Sequence, residues 1–71
     1  MPKYYCIMRP PMIGGIPNSQ VLQDAMTFEK RRYVPEIDRM AWGWVEYDRE
    51  LTLDEVYDYE LIREPREDEW R

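Results

Sequence analysis

The chain alternates apolar and polar positions in a few short stretches, and prolines, glycines and charges punctuate the rest. Lys3 to Arg9 predicts a strand, with Tyr4, Cys6 and Met8 on one face and Tyr5 and Ile7 on the other. Pro10-Pro11 stops it, because neither residue donates to a ladder. Ile13-Gly14-Gly15-Ile16-Pro17-Asn18-Ser19 reads as a turn-rich loop, and a lone Gly-Gly does not make a phosphate-binding loop. Ala41 to Tyr47 is the clearest strand: Ala41, Gly43, Val45 and Tyr47 form one face and Trp42 and Trp44 the other.

Two stretches are less direct. Val21 to Phe28 fits a helix capped by Asn18 or Ser19, with Val21, Leu22, Ala25 and Met26 on one face. It also fits a strand that groups Leu22, Met26 and Phe28, and Thr27-Phe28 tips the choice toward the strand. Glu29 to Ile37 carries the basic cluster Lys30-Arg31-Arg32, and Pro35 disfavours a helix through that point. Thr52 with Glu55 three residues later is a capping-box pattern, so a short helix over Leu53–Tyr57 is expected. Tyr59 to Ile62 returns as a last short strand. These elements predict one α+β domain over residues 1–63, a small antiparallel sheet of three or four strands with one or two short helices. A frayed acidic C-terminal tail over 64–71 is expected to follow.

Composition narrows the chemistry. With 71 residues the chain supports one small domain, which buries about 60% of the surface its unfolded form exposes and leaves little wall for a deep cleft. The single cysteine closes no internal disulfide, no stretch is long and apolar enough to span a bilayer, and the N-terminal residues lack a leader pattern. A cytoplasmic protein with no membrane partner is the expectation. Absence of histidine removes Ser-His and Cys-His activation. Cys6 alone assembles no structural zinc site and reads as a small buried hydrophobe. No cofactor, metal or catalytic residue is assigned, and the chain is read as a non-enzyme.

The charge is unevenly placed. Residues 1–45 hold six basic and four acidic groups, net +2, and residues 46–71 hold four basic and eleven acidic groups, net −7. An acidic half repels nucleic acid and attracts basic surfaces, so direct nucleic-acid binding is not expected. Lys30-Arg31-Arg32, with Arg39, reads as a solvated turn or as a partner for the acidic half.

If the strand of residues 41–47 continues, Trp42, Trp44, Glu46, Asp48 and Glu50 alternate along one side. The carboxylates would then stand about 6.7 Å apart, like phosphates on a backbone. Asp54 and Asp58 add to the same field. The plain alternative is that the tryptophans are covered by a neighbouring loop and the carboxylates are a solvated edge that resists aggregation. The sharper reading is a partner-binding face of Trp42, Trp44, Glu46, Asp48, Glu50, Asp54 and Asp58. The tryptophans would anchor and the acids steer a basic, nucleic-acid-binding protein, making the chain an inhibitor or adaptor. One rival is a structural or regulatory homodimer that covers the aromatic surface. Another is a small-ligand or enzyme module at a dimer interface, using Asp54, Asp58 or Tyr57.

The residues Arg32-Tyr33-Val34-Pro35-Glu36-Ile37, Ala41-Trp42-Gly43-Trp44-Val45-Glu46-Tyr47, Leu51-Thr52 and Asp58-Tyr59-Glu60-Leu61 resemble small proteins carried by mobile elements of Gram-positive bacteria. The resemblance covers about half the chain and has no catalytic signature. It implies a context in which small acidic anti-defence inhibitors occur.

Overall fold

Alternation in the central strand sets the architecture. In the computed structural model, which describes residues 2–12, 14–17 and 19–65, strand β3 runs over Arg39–Tyr47. Its odd positions Ala41, Gly43, Val45 and Tyr47 are all buried. Strand β1 (Lys3–Cys6) pairs with β3 on one side, and β2 (Leu22–Val34) pairs with it on the other. A short helix α1 (Leu53–Asp58) precedes β4 (Leu61–Arg63), which adds to the outer side of β1. The result is a four-stranded antiparallel sheet in the order β2-β3-β1-β4, with one short α-helix. This is the small α+β fold that the pattern predicts. The tail expected over 64–71 lies outside the described residues from residue 66 on, as does Asn18.

Strand β1 ends at Cys6 rather than Arg9 because both ladders run out there. Cys6 faces Gly43 of β3 and Leu61, the first residue of β4. The ambiguous segment is a strand, and it is longer than expected. A single 3₁₀ turn at Ser19–Val21 leads into it. The basic cluster therefore lies inside β2, not in a turn. The turn comes later, at residues 35–38, where Asp38 takes φ 53°, a left-handed conformation that Asp tolerates better than most residues.

The sheet carries a packed cluster on each face. On the first, Tyr4, Cys6, Val45, Tyr47, Leu51 and Leu61 pack with Ile16, and Val56 and Tyr59 from the α1 region close over them. Buried hydroxyls there are paired: Tyr47 Oη donates to the Pro17 carbonyl at 2.5 Å, and Tyr4 Oη accepts from Leu51 N at 2.9 Å. In the second cluster, Tyr5 and Trp44 of the other face pack with Ile7, Phe28, Val34 and Ile37, and Ala41 joins them at the hairpin end of β3. An irregularity in the β2–β3 ladder makes this possible. Thr27 pairs with Gly43 and Arg32 with Ala41, so Phe28 to Arg31 stand opposite Trp42 alone. Extra residues bend and twist a strand, and the tip of the hairpin brings Val34, Ile37 and Ala41 against Tyr5.

Helix α1 starts where the capping box places it. Thr52 Oγ1 accepts from Glu55 N at 3.2 Å, and Glu55 Oε1 accepts from Thr52 N at 2.9 Å. It ends through Glu60, at φ 54°, in a conformation usually left to glycine.

Candidate interaction surface

The fold divides the predicted partner face. Trp44 pairs across the sheet with Tyr5 on one side and Met26 on the other, so Trp42, Trp44 and Glu46 belong to the second face. Helix α1, with Asp54 and Asp58, packs on the cluster of the first face through Val56. Strand β3 stops at Tyr47, so the alternation does not continue through Asp48 and Glu50. The evenly spaced row of carboxylates is not what the chain builds there.

Each part has its own surroundings. Trp42 and Trp44 are half-buried, and each ring carries a cation: the Arg31 guanidinium lies 5.9 Å from the Trp42 centroid and Lys3 Nζ 4.3 Å from the Trp44 centroid. Arg32 is placed likewise, 4.4 Å over Phe28. Such stacking holds the cations in place and covers part of the aromatic surface. Glu46 sits between Asp24 and Lys3 in the ladder, where the like charge of Asp24 is offset by Lys3. Lys3 also reaches Glu64 at 3.9 Å.

Behind the tryptophans, Tyr5 Oη lies 3.2 Å from both the Glu36 and the Glu64 carboxylates. Burial, reinforced by those two charges, pushes the Tyr5 phenol well above its ordinary range. Cys6 is buried too, and the loss of hydration lifts its thiol to about 11, which makes it a poor nucleophile at neutral pH.

Past the end of β3, two of the carboxylates are engaged within the chain. Asp48 is exposed and bonded to Arg49 at 2.9 Å, a hydrogen bond that lowers its pKa. Glu50 takes a two-point contact from Arg63, at 2.6 and 2.7 Å, and accepts from Tyr4 Oη at 3.3 Å. Bidentate geometry of this kind ties the loop after β3 to the edge strand β4. Glu50 is thus part of the scaffold.

Asp54 and Asp58 sit on α1 at i and i+4, both exposed, with exposed Glu60 just beyond. None of the three makes an ion pair among the described residues. Beside them are two apolar residues outside the predicted partner face, Leu53 and Tyr57, which are 76% and 78% exposed. Positions 53, 56 and 57 have the spacing of a buried helical stripe. With only six residues, α1 presents one of them, Val56, to the core. The length of the helix is the signal that would have flagged the others.

The basic cluster has a plain structural role. β2 is an edge strand of 13 residues, a shape that invites pairing with other chains, and a bulge carrying Lys30 and Arg31 blunts such an edge.

A family model described as Defence against restriction A C-terminal matches residues 1–66, which include every described strand and the helix. The chain belongs to that family. Membership places it among anti-restriction proteins of phages and mobile elements and gives it an anti-defence role. The mobile-element setting implied by the sequence resemblance agrees with this family; a Gram-positive origin is no part of the match. No curated protein and no solved structure matches the chain. The family description names a defence that acts against restriction, and it assigns no residue of the chain a task.

Proposed function

We propose that this member of the Defence against restriction A C-terminal family is a non-enzymatic interaction protein of the cytoplasm. It engages a basic, nucleic-acid-binding protein through its acidic half and so interferes with restriction. The observation that carries this reading is the outer surface of α1 and the residue after it. Asp54, Asp58 and Glu60 point to solvent without cationic partners among the described residues, in a half of the chain whose net charge is −7. Unpaired carboxylates held together repel one another and gain when a cationic surface arrives, which favours fast, steered association. Trp42, Trp44 and Glu46 make a separate, half-covered face that adds apolar contact on the other side of the sheet.

The test is a titration of labelled chain with a purified restriction enzyme, with and without duplex DNA as competitor. Binding that weakens with added salt and is displaced by DNA is the expected result. Binding to duplex DNA itself, with none to the enzyme, would overturn the proposal.

A further inference from the structure

The bulge that blunts the β2 edge also gathers charge. Phe28 to Arg31 stand opposite Trp42 alone, and Glu29, Lys30, Arg31 and Arg32 line a hollow of about 430 Å³ there. All four are exposed, and among the described residues none of them makes an ion pair. The lining is therefore three cations against one carboxylate, net +2. Two of the cations are held in place, Arg31 at 5.9 Å from the Trp42 centroid and Arg32 at 4.4 Å from that of Phe28. A guanidinium resting on a ring keeps its N–H donors, so this contact orders the arginines without using the groups that bind an anion.

The acidic half of the chain lies elsewhere. Sheet order puts β2 at one edge and β4, with α1 against it, at the other. Three spacings of about 4.8 Å separate the edges by about 14 Å, beyond the Debye length of about 8 Å at physiological salt. Repulsion of a polyanion by α1 is thus largely screened at the bulge. Closer by, Asp24 and Glu46 pair four residues down β3 from Trp42, about 13 Å away. Glu36 and Asp38 belong to the hairpin turn, where they take the hydroxyls of Tyr5 and Tyr33.

We infer that the β2 bulge contacts the phosphate backbone of duplex DNA, with Lys30, Arg31 and Arg32 each meeting a phosphate. The planar forks of the two arginines suit phosphate oxygens, and Lys30 adds a point charge. Duplex DNA is the polyanion on which restriction acts, and the family is described by its defence against restriction. The contact reads no base sequence, since only the backbone is neutralised. It goes beyond the proposed function: α1 addresses a protein, and the opposite edge of the sheet addresses the DNA that protein holds.

The probe is a short labelled DNA duplex, titrated with the full chain at about 50 mM and about 200 mM salt and followed by fluorescence anisotropy. Three phosphate contacts give a slope of about −2.7 in log affinity against log salt, a loss of about 40-fold between those concentrations. Lys30→Gln, Arg31→Gln, Arg32→Gln is expected to abolish binding, and Arg31→Lys, Arg32→Lys, which keeps the charges, to retain the slope. Circular dichroism checks the fold of each variant. Lys30→Gln alone, which removes no ring contact, should flatten the slope by about 0.9. Asp54→Asn with Asp58→Asn should change DNA affinity by less than about twofold at about 150 mM salt. Three results would overturn the inference: no binding of the duplex at low salt, an unchanged slope in the Lys30→Gln chain, or tighter binding of a labelled polyglutamate than of the duplex. The last would assign the bulge to an acidic protein segment. Each leaves enzyme binding through α1 to its own titration.

Discussion

Replacing Gly43 by alanine puts the packing of the sheet to a direct test. A Cβ built on Gly43 would lie 2.1 Å from the Met26 carbonyl oxygen of the neighbouring strand, and 2.9 and 3.0 Å from the ring carbons of Pro11. Ordinary contact begins near 3.4 Å, so the carbonyl must retreat by about 1 Å, which is a large displacement for strands spaced about 4.8 Å apart. The Pro11 ring must also lift from the first face. Overpacking of this sort costs about 1–3 kcal/mol, and loosening the adjacent ladder bonds adds about 1 kcal/mol. The expected loss is therefore about 2–4 kcal/mol. A domain of this length has a total stability of about 4–11 kcal/mol. At about 4–8 °C per kcal/mol the melting temperature should fall by roughly 10–30 °C. Thermal unfolding followed by circular dichroism and tryptophan fluorescence measures it. Gly15→Ala is the internal control, because its Cβ would meet nothing closer than 3.4 Å, and it should shift the melting point by a few degrees at most. A Gly43→Ala chain that melts within about 3 °C of the unmutated one would refute the close approach of β2 and Pro11 to this residue.

Tyr47→Phe should cost about 1–3 kcal/mol in denaturant unfolding, because the Pro17 carbonyl loses the hydroxyl that donates to it at 2.5 Å within the first cluster. Glu60→Gly should raise stability by about 0.5–1 kcal/mol, since glycine adopts φ 54° without the Cβ penalty, and should weaken binding of a basic partner by removing a carboxylate. Stability should also fall in alkali. The Cys6 thiol rises from 9.0 to about 11 on folding, and burial likewise raises the Tyr4, Tyr5 and Tyr47 phenols. The unfolded chain therefore releases these protons first. The stabilisation is complete below about pH 9 and is lost as pH climbs through 9 to 11 and beyond. Urea midpoints at about pH 7 and about pH 10.5 check the direction, and an unchanged midpoint would contradict burial of these groups.

Much of the fold is legible in the sequence, and the reasons are local. Strand β3 is readable because its period-two pattern runs unbroken from Ala41 to Tyr47, and the helix start because Thr52 and Glu55 form a reciprocal pair. The continuation of β2 through Lys30-Arg31-Arg32 is not readable, since a bulge of four residues opposite one destroys the alternation that would announce it. The candidate surface suffers from a related limit. Alternation predicts a common face for Trp42 through Glu50 only while the strand lasts, and it ends at Tyr47. The capture of Glu50 by Arg63 and Tyr4 depends on β4 returning beside β1, a contact 13 and 46 residues away in sequence. Exposure of Leu53 and Tyr57 follows from how little of a six-residue helix meets the sheet, which no spacing reveals.

Under the proposed function, carboxylates on α1 and beyond carry the anti-restriction role by holding a basic protein. A restriction assay on unmodified DNA in cells, comparing the unmutated chain with Asp54→Asn, Asp58→Asn, Glu60→Gln, addresses it most directly. The unmutated chain should protect the DNA, and the triple variant, folded by circular dichroism, should lose most of that protection. Protection undiminished in the folded variant would contradict it.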